Sequence, residues 1–283
     1  MNAISDRYTL SNGVEIPCIG FGTWQMPEGR VAVGSVREAI AAGYRHIDTA
    51  QGYDNETSVG RGVKESGIPR RDIFITTKLV NSVRGYQETL DAARGSLEKL
   101  GMDYVDLFLI HWPRPVDFKD NWKQKNAESW RAFEALYHKG VIKALGISNF
   151  RPHHIDALLE TAEIMPVVNQ IRLAPGDTQD EVVIHSRKKG MLLEAYSPLG
   201  VGRVFEVPEM KKMAEKYGKS IAQIAIRWSL QRGYLPLPKS VTPSRIRENA
   251  QVFDFELSPE DVERIANLKG SVGYSDDPDK ISW

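Results

Sequence analysis

The sequence predicts an α/β protein in which eight parallel strands and the helices between them close into a (β/α)8 barrel. Eight short runs rich in Val, Ile and Leu recur along the chain, and segments with helical periodicity separate them. Eight such units in about 250 residues match a closed barrel, whereas a doubly wound open sheet usually has five or six strands. No linker or low-complexity tract interrupts the chain, so we expect one TIM-barrel domain over residues 1–283.

The local sequence pattern predicts the positions of the hairpin, the helices and the strands. Residues 8–17 contain Ser11-Asn12-Gly13 between apolar pieces, and Asn-Gly favours a hairpin turn, so an N-terminal β-hairpin should cap the barrel bottom. Amphipathic segments such as 30–42, 85–100, 127–139 and 220–231 are long enough for the crossovers that parallel strands need. The predicted strands are 18–23, 45–50, 73–78, 105–112, 143–149, 167–171, 191–197 and 235–240.

The charge and cysteine content exclude several classes. Thirty-seven basic residues balance 37 acidic ones, so the chain lacks the positive field that attracts nucleic acid or anionic membranes. No apolar run is long enough to span a bilayer and no signal peptide is evident, so we expect a cytoplasmic protein. The lone Cys18 predicts no disulfide, and the scattered histidines predict no metal site.

The ends of the predicted strands are unusually polar. Barrel enzymes place their reactive groups at the carboxyl ends of the strands, where Asp48, Lys78 and His111 fall here. Tyr53 follows Asp48 closely enough to fold over the same mouth. Tyr53 would act as general acid, Lys78 as an ammonium that lowers its pKa, Asp48 as the partner of Lys78, and His111 as the group that orients the reacting oxygen.

Each of these residues has a plainer interpretation when it is taken alone. Asp48 is also compatible with a helix cap, Lys78 with a solvated strand end, His111 with a core histidine and Tyr53 with a loop aromatic. Their joint occurrence at one barrel mouth favours the catalytic interpretation.

Four groups of residues along the chain form recognisable motifs. They are Gly43-Tyr44-Arg45-His46-Ile47-Asp48-Thr49-Ala50 with Tyr53, Asn55-Glu56 and Gly60; Leu107-Phe108-Leu109-Ile110-His111-Trp112-Pro113; Gly146-Ile147-Ser148-Asn149-Phe150; and Lys239-Ser240-Val241-Thr242-Pro243. With these motifs in family order, the chain from about Tyr8 to Leu268 resembles the aldo-keto reductases, and bacterial members such as the 2,5-diketo-D-gluconate reductases in particular.

The resemblance implies reversible, NADPH-dependent reduction of aldehydes and ketones to alcohols, with NADH as a possible second cofactor. Asp48, Tyr53, Lys78 and His111 would be the catalytic tetrad. The substrate would be a small carbonyl or sugar-derived compound, and we favour a monomer. Substrate-binding residues would be Trp24, Tyr53, His111 and Trp112, with Trp122 as a further candidate wall.

The chain lacks the Gly-x-Gly-x-x-Gly dinucleotide fingerprint, since Gly20-Phe21-Gly22 has no third glycine and suits close packing in a strand. Pro243 fits a first helical turn, and a helix start suits a phosphate. By resemblance, the 2′-phosphate would bind Lys239, Ser240 and Arg245, and the adenine would meet Glu248 and Asn249. The other implied cofactor residues are Gly22, Thr23, Trp24, Asp48, Ser148, Asn149, Gln170, Tyr196, Ser197, Leu199, Gly200, Val241 and Thr242.

Two stretches depart from the family pattern. Where the family often continues with Glu and a His-Pro pair, this chain has Arg172-Leu173-Ala174-Pro175, which leaves the loop shape open. The residues after Leu268 are few, so we expect no long C-terminal loop over the substrate and a more open pocket.

Three other functions are compatible with parts of this sequence. A Schiff-base lyase could use Lys78 as a nucleophile, but such a lysine must be neutral, and Asp48 favours its charged form. A metal-dependent hydrolase lacks a His-x-His pair at the end of the first strand. A non-enzymatic cofactor-binding subunit stays open, because fold alone implies no function.

Overall fold

The computed structural model describes residues 1–283, and its central element is a parallel sheet of eight strands in chain order. The first and last strands are joined by backbone hydrogen bonds. The amides of Gly20 and Gly22 donate to the carbonyls of Pro236 and Pro238, each over 3.0 Å. These two bonds form the seam of the barrel, and the predicted (β/α)8 architecture is confirmed.

Each barrel strand overlaps one of the predicted apolar runs. Several observed strands are shorter than the runs, because the polar residues at their ends turn into the barrel mouth. The strands are β3 Phe21–Gly22, β4 His46–Asp48, β5 Phe74–Leu79, β6 Val105–Ile110, β7 Ile142–Ser148, β8 Val168–Arg172, β9 Leu192–Tyr196 and β10 Leu235–Leu237.

The predicted hairpin precedes the barrel as β1 Arg7–Thr9 and β2 Glu15–Pro17, which pair antiparallel. Gly13 takes a φ of 83° in the turn, a conformation that glycine adopts without strain. Ile16 packs with Phe74 and other side chains near the amino ends of the barrel strands. The hairpin therefore covers the end of the barrel opposite the mouth.

Ten helices surround the sheet. Helix α4 begins five residues before the predicted start at 127, because the polar turn at its beginning hides the apolar periodicity on which the prediction rested. The helices are α1 Arg30–Ala41, α2 Glu56–Glu65, α3 Tyr86–Leu100, α4 Trp122–His138, α5 Pro152–Leu159, α6 Asp180–Lys188, α7 Pro208–Tyr217, α8 Ile221–Gln231, α9 Pro243–Ala250 and α10 Pro259–Ala266.

The main core lies between the outward faces of the strands and the helices, with Phe108 stacked on Phe133 at 4.7 Å between ring centroids. At the seam, a Cβ on Gly20 would lie 2.5 Å from Leu237 Cδ2 and 2.6 Å from His46 Nδ1. The close-packing interpretation of this glycine is confirmed. No helix combines the length and apolar character that crossing a membrane requires.

Candidate active site

The polar strand ends meet at one mouth, as predicted. Asp48 ends β4, Lys78 lies one residue before the end of β5, and His111 directly follows β6. Tyr53 ends a single 3-10 turn, Gln51–Tyr53, that returns over the mouth. A cavity of about 1260 Å³ opens there, and Asp48, Tyr53 and His111 line it.

Lys78 is the centre of this group. Its side chain is fully buried, and Nζ donates to Asp48 Oδ1 at 2.7 Å, to the Thr49 carbonyl at 2.9 Å and to Tyr53 Oη at 3.1 Å. These three acceptors use all three ammonium hydrogens. Burial alone would lower the pKa of Lys78, but Asp48 and Tyr53 raise it above its usual value. Lys78 is therefore a charged donor, unlike the neutral, cavity-facing lysine that a Schiff base needs.

The Tyr53 hydroxyl accepts its hydrogen bond from Lys78, so its own hydrogen is free to be donated towards the cavity. Burial raises the pKa of Tyr53 above its usual value, and the Lys78 charge opposes this rise without cancelling it. The expectation that the Lys78 ammonium lowers the pKa of Tyr53 therefore holds for the contribution of Lys78, although the net pKa lies above the usual value. Lys78 does act in the expected sense, but burial outweighs it.

His111 lies edge-on to the Tyr53 ring, with centroids 5.7 Å apart. Burial, followed by the charges of Lys78 and Arg84, holds its pKa well below the usual value, so the imidazole is neutral. Asn149 Nδ2 donates to the His111 carbonyl at 3.0 Å and thereby fixes the end of β6.

Four of the implied cofactor residues lie together on β7, β8 and β9 or directly after them, and they are Ser148, Asn149, Gln170 and Tyr196. Ser148 Oγ donates to the Gln170 carbonyl at 2.8 Å, and Tyr196 Oη donates to Asn149 Oδ1 at 2.8 Å. Gln170 Nε2 donates to Asp48 Oδ2 at 2.8 Å. Hydrogen bonds within the protein therefore fix the side-chain amides of Asn149 and Gln170. The Tyr196 ring lines the cavity.

The segment implied for the adenosine end begins α9 as predicted, with Thr242 before the helix and Pro243 at its first position. Thr23, Val241 and Thr242 do not line the cavity. Thr23 is buried and its hydroxyl donates to the Asp48 carbonyl at 2.9 Å, which is a structural contact. The other implied cofactor residues do line it: Gly22, Trp24, Asp48, Ser148, Asn149, Gln170, Tyr196, Ser197, Leu199, Gly200, Lys239, Ser240, Arg245, Glu248 and Asn249.

Aromatic side chains form the wall beside Tyr53 and His111. Trp24 and Trp112 line the cavity as expected, but Trp122 does not and packs against His154 instead. Trp283, which the sequence did not predict, also lines the cavity and meets Trp112 edge-on at 5.8 Å between centroids. Val80 and Asn81 were not predicted either. They line the cavity and directly follow β5, where the strand-end rule could have found them.

The segment that leads to Trp283 contacts the start of α5 through a set of side chains that we call the tail clasp, and the Val116 amide donates to the Trp283 carbonyl at 3.3 Å. Arg151 pairs with Asp277 at 2.8 Å, and the two oxygens of Asp279 contact His153 Nε2 at 3.2 Å and His154 Nε2 at 3.1 Å. The Arg151 amide donates to His154 Nδ1 at 3.2 Å, so neutral His154 carries its hydrogen on Nε2 and donates it to Asp279. His153 and His154 therefore lie together beside Asp279, which corrects the expectation that the histidines are scattered.

The departure at Arg172 also has a structural role. Its buried guanidinium pairs with Asp177 and donates to the carbonyls of Val272 at 2.8 Å and Gly273 at 3.1 Å. Ala174 and Asp177 close a tight turn by two backbone hydrogen bonds. The loop after β8 is therefore short and fastened to the C-terminal segment.

Comparison with known proteins agrees with this architecture. The model of the Aldo/keto reductase family matches residues 18–269. The glyoxal reductase of Bacillus subtilis (strain 168) is 45% identical over 279 residues, which cover 99% of this chain and 98% of that protein.

Solved structures agree as well. The crystal structure of an aldo/keto reductase from Brucella melitensis has a TM-score of 0.89 and 46% identity, covering 95% of this chain and 100% of that one. A Bombyx mori aldo-keto reductase in complex with NADP has a TM-score of 0.85 and 34% identity, covering 96% of this chain and 94% of that one. With the family model spanning most of its length and these relatives nearly all of it, the chain belongs to the Aldo/keto reductase family and is an oxidoreductase.

Proposed function

We propose that this protein reduces small aldehydes and ketones to alcohols with NADPH, reversibly, and that Tyr53 donates the proton. The observation that carries the proposal is the Tyr53 hydroxyl, which accepts from Lys78 and has its own hydrogen available to a ligand in the cavity. Sugar-derived carbonyls belong to the same substrate class. The candidate residues line one cavity of a single barrel, so we propose that one chain, residues 1–283, forms a complete site as a single-domain monomer.

The extent of the cavity supports binding of a dinucleotide. It runs from the Asp48 end of the barrel mouth to the start of α9, where Lys239, Ser240 and Arg245 line it. Arg245 is exposed and no acidic side chain pairs with it, so its guanidinium is available to a 2′-phosphate. This free cation favours NADPH over NADH, because a 2′-hydroxyl offers no charge to a guanidinium. The NADP complex of the Bombyx mori relative supports the same choice.

When bound, a reduced nicotinamide supplies the hydride. The chain supplies the proton and the geometry. Tyr53 Oη donates its hydrogen to the carbonyl oxygen, and neutral His111 offers a hydrogen bond to the same oxygen. Lys78 then stabilises the tyrosinate by charge and by the hydrogen bond that it already makes. In alcohol oxidation the same tyrosinate accepts the proton.

The test is Tyr53→Phe, with Tyr274→Phe as the matched control. Tyr274 lines the same cavity but is largely exposed, and Lys78 does not contact it. General acid catalysis contributes about 10²- to 10⁴-fold, so Tyr53→Phe should lose at least about 10²-fold in kcat and keep its affinity for NADPH. Turnover of a carbonyl panel is followed by NADPH absorbance, and near-normal kcat in Tyr53→Phe would remove Tyr53 from this role.

A further inference from the structure

The interior of the barrel holds a carboxyl group that the proposed mechanism does not use. Glu194 lies in the middle of β9, in register with Gln170 on β8, and its side chain is fully buried. Its Oε2 accepts from Gln170 Nε2 at 2.7 Å, whereas Oε1 has no hydrogen-bond partner. A fully buried acidic side chain is rare in proteins unless it is paired, so this one requires an explanation.

A continuous chain of hydrogen bonds joins Glu194 to Tyr53. Gln170 Nε2 has two hydrogens and donates one to Glu194 and the other to Asp48 Oδ2, the latter over 2.8 Å. Asp48 accepts from Lys78 at 2.7 Å, and Lys78 donates to Tyr53 at 3.1 Å. A change at Glu194 is therefore transmitted to the proposed proton donor through three side chains.

The charge of Glu194 depends on the groups that face it, which are His46 and Asp48 from β4, Lys78 from β5 and Gln170 from β8. His46 Nε2 is 3.9 Å from Glu194 Oε1, and burial with the Lys78 charge lowers the pKa of His46 to about 3, so His46 is neutral. Burial, followed by the Asp48 charge, raises the pKa of Glu194 to about 8. At neutral pH Glu194 is therefore a neutral acid, and in alkali it becomes a second carboxylate beside Asp48.

We propose that Glu194 is a positioning residue for the reduction and acts on the tetrad through Gln170. By using one Gln170 hydrogen while Asp48 uses the other, it leaves Gln170 Oε1 as the amide atom available to a group bound in the cavity. When Glu194 ionises, its negative charge stabilises the Lys78 ammonium but disfavours tyrosinate at Tyr53. This proposal rests on the proposed function, since Tyr53 is the group whose titration it changes.

The first test is Glu194→Gln, which keeps an oxygen acceptor for Gln170 but cannot ionise. Without the added negative charge, tyrosinate forms more easily, so the alkaline limb of kcat/KM for alcohol oxidation should move to lower pH by about 1 unit. Glu56→Gln is the matched control. Glu56 is also buried and accepts from the Thr77 hydroxyl at 2.6 Å, but Thr77 faces the side of β5 opposite to Lys78. Its profile should match that of the wild type.

The second test needs neither cofactor nor turnover. Infrared difference spectra of the free protein between about pH 6 and about pH 10 should show the loss of one protonated carboxyl band in the wild type and no such loss in Glu194→Gln. Glu194→Leu removes the hydrogen bond as well as the charge and should weaken cofactor binding about 5-fold, while Glu194→Gln should leave it unchanged.

An unmoved alkaline limb in an active Glu194→Gln, or the absence of the carboxyl band, would overturn the proposal. The two hypotheses fail separately. If the wild type reduces no carbonyl in the panel, the proposed function fails, and the infrared comparison still decides whether Glu194 is protonated at neutral pH.

Discussion

Tyr53 is subject to opposing influences, because burial and the Asp48 charge favour the phenol whereas the Lys78 ammonium favours tyrosinate. Lys78→Met removes the influence that favours tyrosinate, so the pKa of Tyr53 should rise still further above its ordinary value. The alkaline limb of alcohol oxidation should then move up by at least about 1 pH unit, and kcat should fall. Profiles of kcat/KM against pH measure the shift.

Loss of Lys78 also leaves the buried Asp48 without its cation, which is destabilising. The double variant Asp48→Asn/Lys78→Met avoids this unpaired charge. It should show a smaller shift of the limb in the same direction, because it lacks the ammonium that contacts Tyr53 but also the Asp48 charge, which raises the pKa of Tyr53 to a lesser extent. If both variants keep the wild-type limb, Lys78 does not tune Tyr53.

Arg245 and Arg247 lie on the same helix but make different contacts. Arg245 lines the cavity, whereas Arg247 pairs with Glu38 on α1. Arg245→Ala should weaken NADPH binding by about 10-fold or more and leave NADH binding almost unchanged, because only NADPH carries the 2′-phosphate. Arg247→Ala is the control and should affect neither cofactor. Equal loss of both cofactors in Arg245→Ala, measured by fluorescence titration, would argue against this phosphate site.

At the residue scale, the sequence could predict the Asp48, Lys78 and His111 positions because parallel strands bring their carboxyl ends to one mouth. It could not predict the net pKa of Tyr53, because burial depends on how the rest of the chain packs around the hydroxyl. Glu194 was also missed, since a single acid inside an apolar run has no local signal that separates a buried carboxyl from an exposed one.

At the scale of elements, the C-terminal segment is the part that the sequence predicted least well. The segment is short, as expected, but it returns to the cavity through the tail clasp and Arg172. These contacts join residues that are far apart in the chain, so no local sequence pattern predicts them. Although the chain has no long C-terminal loop, the Trp283 side chain covers this wall of the cavity.

The tail clasp can be tested with the double variant Arg151→Ala/Asp279→Ala. Freed of both pairs, the segment should be cleaved at least about 5-fold faster in limited proteolysis, and Trp283 should lose its contact with Trp112, raising KM for the carbonyl. The Arg151–Asp277 pair is partly exposed, but buried His154 would lose its acceptor, so global stability should fall by about 1 to 3 kcal/mol. Lys269→Ala, at an exposed side chain outside the clasp, is the control. Unchanged proteolysis and KM would show that the clasp does not hold Trp283.

At the scale of the whole molecule, the closed barrel could be predicted from the number of strand-helix units, but the seam could not be located from apolar pattern alone. Strand β3 is only two residues long, and its packing depends on the absence of a side chain at Gly20.

Gly20→Ala should therefore destabilise the barrel by about 1 to 3 kcal/mol, since its Cβ would collide with Leu237 and His46. Gly34→Ala is the matched control. Gly34 lies on the exposed side of α1 with no atom near its missing Cβ, so alanine there should stabilise the fold by about 0.5 to 1 kcal/mol. Urea unfolding at equilibrium measures both, and equal stabilities for the two variants would contradict the packing argument.

The seam also affects how well the chain avoids pairing with other chains while it is being synthesised. Every other pair of barrel strands joins neighbours in the sequence, but β3 must wait for β10, which is synthesised almost last. Until then the edge of β3 is exposed, and exposed strand edges invite pairing with other chains. Only the amides of Gly22 in β3 and of Gly20 just before it pair across the seam. The edge that is exposed during synthesis on the ribosome is therefore very short.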